Sequence, residues 1–366
     1  MRRLPTIIMS VLLALSLGGC TLFPSAMRGT ERLAVVQVLG VDREGSGVRL
    51  SLVTAADSSR GEGPVRMSGS GATIAGAAED AAARAVEERL FCAHTAFVLL
   101  GEESARRDVG DVLRYVCRSR ELRTDVPLLI VRGARAEEAL LQSGDERGGA
   151  AEILHTLSAS APARLGGELP SVAWIAGRLA RGGCAFAAAL SCEPSSEQEG
   201  EERPLTLAFD GLAVLREGKL AAFLDRDEAV GADLLCGAQG VHEFTVTDRS
   251  GQRVTLQTSP GATELRTIRG EDGTPEAIEL TIRLSASVSE IDGAGAPIDD
   301  SRADELSALL ERELLRRAGA VVRLGRALGA DLLSLRTRSG LDGAETLPVR
   351  LSAAVRISHS NDVRDG

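Results

Sequence analysis

Aromatic residues and net positive charge are both scarce in this sequence. Only one Trp, one Tyr and seven Phe occur among 366 residues, which leaves few rings for stacking on bases or sugars. The 52 Asp and Glu residues outnumber the 42 Lys and Arg residues and give a formal charge of -10. Because binding to phosphate backbones needs a basic face, this composition argues against a nucleic-acid partner.

The sequence motifs of common catalytic sites are missing as well. It contains no G-x-S-x-G, no H-E-x-x-H, no P-loop and no G-x-G-x-x-G after a strand. Lys219 is the only lysine and falls in a predicted turn, and His94 precedes an apolar strand and is interpreted as a structural residue. The four histidines are isolated from one another: His94, His155, His242 and His359. We therefore predict that the protein is not an enzyme and that it holds no metal or cofactor.

Cysteine spacing points to no metal or redox motif, because no C-x-x-C pair occurs. Five cysteines remain once Cys20, discussed below, is set aside: Cys92, Cys117, Cys184, Cys192 and Cys236. An odd number leaves at least one of them unpaired or bonded to another chain. Cys184 and Cys192 are close enough in sequence to pair across a hairpin or a helix end, but the sequence leaves the disulfide state open.

The amino terminus carries the pattern of a lipoprotein signal. Arg2 and Arg3 precede an apolar run from Leu4 to Leu17, and the residues Leu17-Gly-Gly-Cys20 form a lipobox. The run is shorter than the ~20 residues that span a bilayer. Two alternatives are a cleaved secretory signal with an incidental cysteine and an uncleaved anchor.

This pattern predicts how the mature chain begins. Residues 1–19 would be removed as a signal peptide, Cys20 would carry the lipid, and residues 20–31 would form a lipidated tether. Acyl chains on Cys20 would hold the protein on the outer face of a membrane, because two chains on one residue supply a stable anchor.

Strands and helices alternate through the first half of the chain. Apolar runs predict strands at 32–42, 48–55, 96–100 and 127–131, and the glycines at 43–47 predict a hairpin turn between the first two. Helical periodicity predicts helices at 73–90, 134–141, 153–157 and 171–179, and a turn at 101–106 leads into a helix that ends near Arg118. Residues 58–70 are predicted to form a polar, Gly-rich loop. The alternation predicts a mixed α/β layer.

The second half predicts a different arrangement. A hairpin is expected at 212–224, followed by a helix that begins near Asp225 and Glu228. These acidic residues and Asp227 could also form a cation site, but they lack the Gly and the later Glu of a calcium loop, which favours the helix cap. Apolar residues alternate strictly at 278–290 and again at 349–357, and a long helix is predicted at 301–328. This half is predicted to be an α+β domain with an antiparallel sheet and one long helix.

We therefore predict a multi-domain α+β or mixed α/β fold, in which mixed sheets pack against helices. The N-terminal α/β domain would span 32–193, as one unit or two subdomains, and the C-terminal domain would span 205–360. The polar run at 194–204 would be a linker or loop between them.

Several short motifs, in their order along the chain, resemble the Ger(x)C family of spore germination lipoproteins. They are Val38-Leu-Gly-Val-Asp42, Gly101-Glu-Glu-Ser-Ala-Arg106, Glu121-Leu-Arg-Thr-Asp-Val126, the segment Gly211 to Asp225 with Glu228 and Gly231, and Leu324 to Asp331. The chain departs from the family after Asp331, because it lacks the family's usual tryptophan-bearing stretch.

The resemblance implies the C subunit of a nutrient germinant receptor, a lipoprotein on the outer face of the spore inner membrane. Its partners would be integral membrane subunits of the A and B types, and Cys20 is the one functional residue carried over. Such a subunit would act by protein–protein interaction, through its sheet edges and its long helix. The alternative is an extracytoplasmic solute-binding lipoprotein that feeds a transporter.

Overall fold

A computed structural model describes residues 33–56, 63–85, 89–142, 149–194, 205–293 and 298–358. The predicted signal peptide, Cys20 and the tether lie outside the described residues, as does the polar run after Pro194. The described chain forms a nine-stranded sheet followed by a five-stranded sheet.

The nine-stranded sheet is built from strands in both halves of the chain. Its strands are β1 (Leu33–Glu44), β2 (Gly47–Thr54), β3 (Arg66–Gly71), β4 (Arg89–Phe91), β5 (Phe97–Gly101), β6 (Leu128–Val131), β7 (Cys184–Pro194), β8 (Leu205–Arg216) and β9 (Lys219–Leu224). The order across the sheet is β3-β2-β1-β5-β6-β7-β8-β9, and β4 pairs with the start of β1. Strands β1, β5, β6 and β7 are parallel neighbours, which makes this a mixed sheet.

Helices cover the two faces of this sheet. They are α1 (Ile74–Arg84), α2 (Glu102–Arg107), α3 (Gly110–Arg118), α4 (Ala136–Gln142), α5 (Gly149–Leu165) and α6 (Val172–Gly182). One buried cluster joins α1, α3 and α6 to one face, and another joins α4 and α5 to the opposite face. Every residue of β5 and β6 is buried, as expected for parallel strands covered on both sides.

Three of the sequence predictions for this region are wrong in detail. The predicted loop at 58–70 contains most of β3, whose backbone pairs with β2. The helix predicted at 73–90 ends at Arg84, because residues 89–91 pair with the start of β1 as β4. The turn predicted at 101–106 is the helix α2, and a break at Asp108 and Val109 separates it from α3, which ends at Arg118 as predicted.

Strand β7 was not predicted, and it changes how the two halves connect. Cys184 and Cys192 lie on this single strand, eight residues and therefore about 26 Å apart. A disulfide needs Cα atoms within about 7 Å, so these two thiols do not pair, and both are free in the structure. Strand β7 pairs with β8, so the strands before and after the polar run belong to one sheet. The domain division at 194–204 stays a prediction.

The second sheet has the alternating pattern that the sequence predicted. Its strands are β10 (Glu243–Thr247), β11 (Arg253–Thr258), β12 (Ala262–Arg269), β13 (Pro275–Ile291) and β14 (Val349–Ser358). Strands β11 and β12 pair end to end with β13, while β14 lies parallel to β13 on its other side. Strands β10, β11 and β12 were not predicted. The remaining pairings are antiparallel, which confirms the predicted C-terminal antiparallel sheet.

The helices of the second half bury the inner face of this sheet. They are α7 (Arg226–Cys236), α8 (Asp300–Leu328) and α9 (Leu335–Ser339), followed by a 3-10 turn at Ala344–Thr346. Helix α8 is the long helix predicted at 301–328, and it ends at Gly329 in the left-handed conformation. Its buried side chains share one core with α7 and the inner face of the second sheet. The predicted mixed α and β fold is confirmed.

Candidate functional site

Cys20 is the one site residue that the sequence predicted, and it lies outside the described residues. The structure does place the motifs that carry the family resemblance. Residues of these motifs contact other parts of the protein.

Asp42 ends the first motif and is 2% exposed. Its carboxylate accepts hydrogen bonds from the first two backbone N–H groups of α4, with Oδ1 2.9 Å from Ala136 N and Oδ2 2.8 Å from Glu137 N. Burial raises the pKa of Asp42, while these two N–H groups and Arg135 act in the opposite direction. Asp42 therefore caps a helix that begins 94 residues later.

The second motif packs around this carboxylate. A Cβ atom on Gly101 would lie 2.2 Å from Asp42 Oδ1, so the position has room only for glycine. Glu102 accepts a hydrogen bond of 2.7 Å from Gly133 N, and Ser104 Oγ accepts one of 2.6 Å from Arg43 N. These residues connect the carboxyl ends of β1, β5 and β6.

That edge of the sheet is where many open α/β proteins bind small molecules, often with an anion at a helix N-terminus. Here the N-terminus of α4 is already occupied by the protein's own Asp42. The arrangement weighs against a solute anion at this position, and it gives the first two motifs a structural role.

The later motifs have structural roles as well. Gly211 has a φ of +87°, and a Cβ there would lie 2.0 Å from Leu224 O. Asp225 and Glu228 form the capping box of α7, which confirms the predicted helix cap. At Gly231 a Cβ would lie 2.5 Å from Arg317 O, so this glycine allows α7 and α8 to approach closely.

Asp331, in the last motif, caps α9. It is 9% exposed, and its carboxylate oxygens accept hydrogen bonds of 2.6 Å from Leu335 N and 3.1 Å from Arg336 N. Asp42 and Asp331 thus each cap the N-terminus of a helix, one in each half of the molecule.

A buried pair that the sequence did not reveal joins the two halves. His242 is 3% exposed, and its Nε2 lies 2.9 Å from Asp233 Oδ2. The same oxygen accepts a hydrogen bond of 3.0 Å from Gly240 N, and the Asp233 side chain packs against Gly166 at the end of α5. Nothing in their separation of nine residues predicts the pair, because the loop after α7 turns the chain back on itself.

The sheet edges proposed as binding surfaces are partly covered. In β3, the Ser70 N–H donates a hydrogen bond of 2.8 Å to Asp80 of α1. In β14, the Val355 N–H donates one of 2.9 Å to Glu311 of α8. A helix lies along each of these edges, which is a common protection against unwanted strand pairing.

Metal-binding clusters and membrane-spanning helices are both absent from the described part of the chain. No group of three or more His, Cys, Asp or Glu side chains there lies close enough together to hold a metal ion. No helix there combines the length and the apolar character needed to cross a membrane.

Comparison with known proteins identifies the N-terminal region. Residues 28–161 match the family described as the spore germination protein N-terminal domain. No curated protein sequence matches the chain. The crystal structure of the GerBC protein superimposes with a TM-score of 0.53 at 16% identity, over 88% of this chain and 97% of that one.

At this low identity the superposition shows a shared fold, and the domain match shows what residues 28–161 are similar to. Together they confirm the resemblance that the motif order predicted. Residues 28–161 are therefore a spore germination protein N-terminal domain, and the chain shares the fold of GerBC.

Proposed function

We propose that the protein is a membrane-anchored lipoprotein subunit of a spore germinant receptor. It acts by protein–protein interaction in nutrient-triggered germination, beside integral membrane subunits of the A and B types. The observation that carries the proposal is the match of residues 28–161 to the spore germination domain.

The anchor in this proposal is lipid attached to Cys20, on the outer face of the spore inner membrane. It is supported by the lipobox Leu17-Gly-Gly-Cys20 at the end of a short apolar run. The residues between Cys20 and the first described strand, 21–32, would separate the lipid from the folded protein.

The positions of the motif residues support a subunit that binds other proteins, and they weigh against a protein that binds a small solute. Asp42, Gly101, Asp225 and Asp331 contact other parts of the same chain, and Asp42 fills the helix N-terminus at which an anionic solute would bind. We therefore place the contacts with partner subunits on surfaces outside these motifs.

The test is dipicolinic acid release from spores that carry Cys20→Ala. We expect loss of the response to nutrients and an unchanged response to a non-nutrient agent that bypasses receptors. Cys117→Ala, which removes an exposed thiol, is the matched control and should respond normally. If Cys20→Ala spores respond normally to a wide panel of nutrients, the receptor assignment weakens and the solute-binding alternative gains.

A further inference from the structure

Helices α3 and α6 lie side by side on one face of the nine-stranded sheet. Their buried side chains, among them Val116 and Ile175, belong to one core cluster. The backbone connects them too, because Ala173 N at the start of α6 donates a hydrogen bond of 2.9 Å to Thr124 O, in the segment after α3. The outer surface of the pair, which we call the α3–α6 surface, carries the exposed residues Arg118, Arg120, Trp174 and Arg181. Arg178 of α6 is half-buried and donates a hydrogen bond to Ser334 Oγ.

Trp174 is the only tryptophan of the chain and is 44% exposed. The Arg178 guanidinium lies 5.5 Å from the centre of its ring, within the range of a cation–π contact. A tryptophan held in this way, with one part of its ring in contact with the protein and another in water, resembles those enriched at membrane–water interfaces.

The α3–α6 surface is basic, although the whole chain is acidic. Arg118, Arg120 and Arg181 are exposed, and no carboxylate within the described ranges forms an ion pair with them. Two acidic residues follow Arg118 and Arg120 closely in the chain, Glu121 and Asp125, and Asp125 pairs with Arg123. The surface therefore has an excess of positive charge on a protein of formal charge -10.

The α3–α6 surface also lies near the end of the sheet from which the tether would leave. Strands β1, β5 and β6 are parallel, so their first residues lie at one end, and β1 begins there at Leu33. Helix α3 runs from the opposite end back to this one, since it connects β5 to β6. The 12 residues at 21–32 reach at most about 43 Å when fully extended. A lipid on Cys20 would thus keep this end of the protein within about 43 Å of the bilayer, which allows the surface to reach the headgroups.

We propose that the α3–α6 surface docks onto anionic phospholipid headgroups, with Trp174 at the membrane interface. This inference rests on the lipid anchor of the proposed function. The arginines bind the phosphate groups, and the indole ring enters the boundary between headgroups and acyl chains. Docking adds a second, charge-dependent attachment to the anchor and fixes which side of the protein faces the membrane.

The single tryptophan makes the test direct. The mature, acylated full chain is reconstituted with vesicles of phosphatidylcholine alone, or of phosphatidylcholine and phosphatidylglycerol at 7:3. We expect a blue shift of Trp174 emission, and quenching by phosphatidylcholine brominated on its acyl chains, only in the anionic vesicles. Each arginine removed should lower the docking equilibrium about fivefold.

Two triple variants with the same change of charge separate docking from general electrostatics. Arg118→Gln/Arg120→Gln/Arg181→Gln should still float with the vesicles but lose the quenching. Arg312→Gln/Arg323→Gln/Arg326→Gln, which removes three exposed arginines from α8, should be quenched like the unchanged protein. All six side chains are exposed, and thermal unfolding of both variants checks that the fold is kept.

The two proposals fail in different ways. Failure to float with neutral vesicles would contradict the lipid anchor. In that case, quenching of Trp174 in anionic vesicles would still support the docking, and its absence would contradict it. Flotation with identical Trp174 emission in both vesicles would overturn the docking and leave the anchor standing. If Trp174→Ala also abolished the nutrient response of spores in that case, the α3–α6 surface would belong to a protein partner.

Discussion

An edge strand of each sheet donates a backbone hydrogen bond to a carboxylate of a neighbouring helix. The two helices pack against their strands in different ways. At β3, Asp80 of α1 accepts a hydrogen bond from the strand, and at β14, Glu311 of α8 does so. In the first pair the helix backbone almost touches the strand, because a Cβ on Gly69 would lie 2.2 Å from Ala77 O. In the second pair a layer of apolar side chains separates helix from sheet.

The difference follows from helix length and composition. Helix α1 has 11 residues and places the small residues Ala77 and Ala81 against β3, so it gains contact by approaching the strand closely. Helix α8 has 29 residues and contributes a row of buried leucines, which fill a wider gap. A larger side chain on β3 should therefore destabilise the packing of α1. A shorter side chain on α8 should destabilise the packing of that helix against the second sheet.

The largest effect is expected from Leu314→Ala in α8. Leu314 is fully buried between α8 and the second sheet, and its truncation leaves a cavity, so we expect a loss of about 3 kcal/mol in the free energy of unfolding. Urea unfolding followed by circular dichroism measures it. The half-buried neighbour Leu315 is the control, and Leu315→Ala should cost less than about 1 kcal/mol. Equal costs for the two would show that the apolar layer does not hold α8 in place.

A smaller effect is expected from Gly69→Ala in β3. The added methyl group would overlap Ala77 O and Ala81 N, so we expect a loss of about 2 kcal/mol in the free energy of unfolding. Gly319→Ala in α8 is the matched change, because the nearest atom is the flexible end of Arg323 at 3.3 Å. There alanine should stabilise the helix by about 0.5 kcal/mol. Thermal unfolding of both variants checks the opposite signs, and a shared sign would contradict the comparison.

The smallest effect, and the one that depends on pH, is expected at Glu313 of α8. Hydrogen bonds from Arg316, and then from Arg317, lower the pKa of Glu313 to about 2. A carboxyl group with a lowered pKa stabilises the fold above its unfolded pKa of 4.5, and this contribution is lost as the pH falls toward 2.

The side chain is 25% exposed, so we expect the contribution to be about 1 kcal/mol after solvent screening. Glu313→Gln should therefore lower stability at pH 7 and leave it nearly unchanged at pH 2. Urea midpoints at the two pH values measure this, and a loss of equal size at both would rule out the ion pairs as its source.

The sequence predicted the elements whose hydrophobic pattern matches their burial in the fold. The continuous apolar run of β5 matched a strand buried on both faces, and the strict alternation of β13 matched a strand with one open face. The length of α8 followed from its apolar period and from Gly329. In each case the local pattern and the tertiary environment agree.

The elements that were missed depend on distant partners. Strand β3 is polar and Gly-rich, and it forms a strand because its glycines accommodate the backbone of α1. The run Cys184 to Leu190 is rich in alanine, which is typical of helices, yet both faces of β7 are covered by packed elements. Strand β4 has three residues and exists through its pairing with the start of β1.

The candidate sites divide in the same way. Cys20 stays a prediction, and it rests on the lipobox, which is a local pattern. The role of Asp42 could not, because its partners lie 94 and 95 residues away. The α3–α6 surface could not be predicted either, since α3 and α6, which are separated by more than 50 residues, lie side by side only in the folded protein.

The position of β7 has a consequence for synthesis. The germination domain matched at residues 28–161 ends before β7, so β6 has no neighbour on that side until residues up to 194 have been made. A chain that grows from its amino end therefore carries an open, wholly apolar strand for part of its production. Vectorial folding of this protein must keep that strand from meeting its copy on another nascent chain, a task for a chaperone or for fast completion of the sheet.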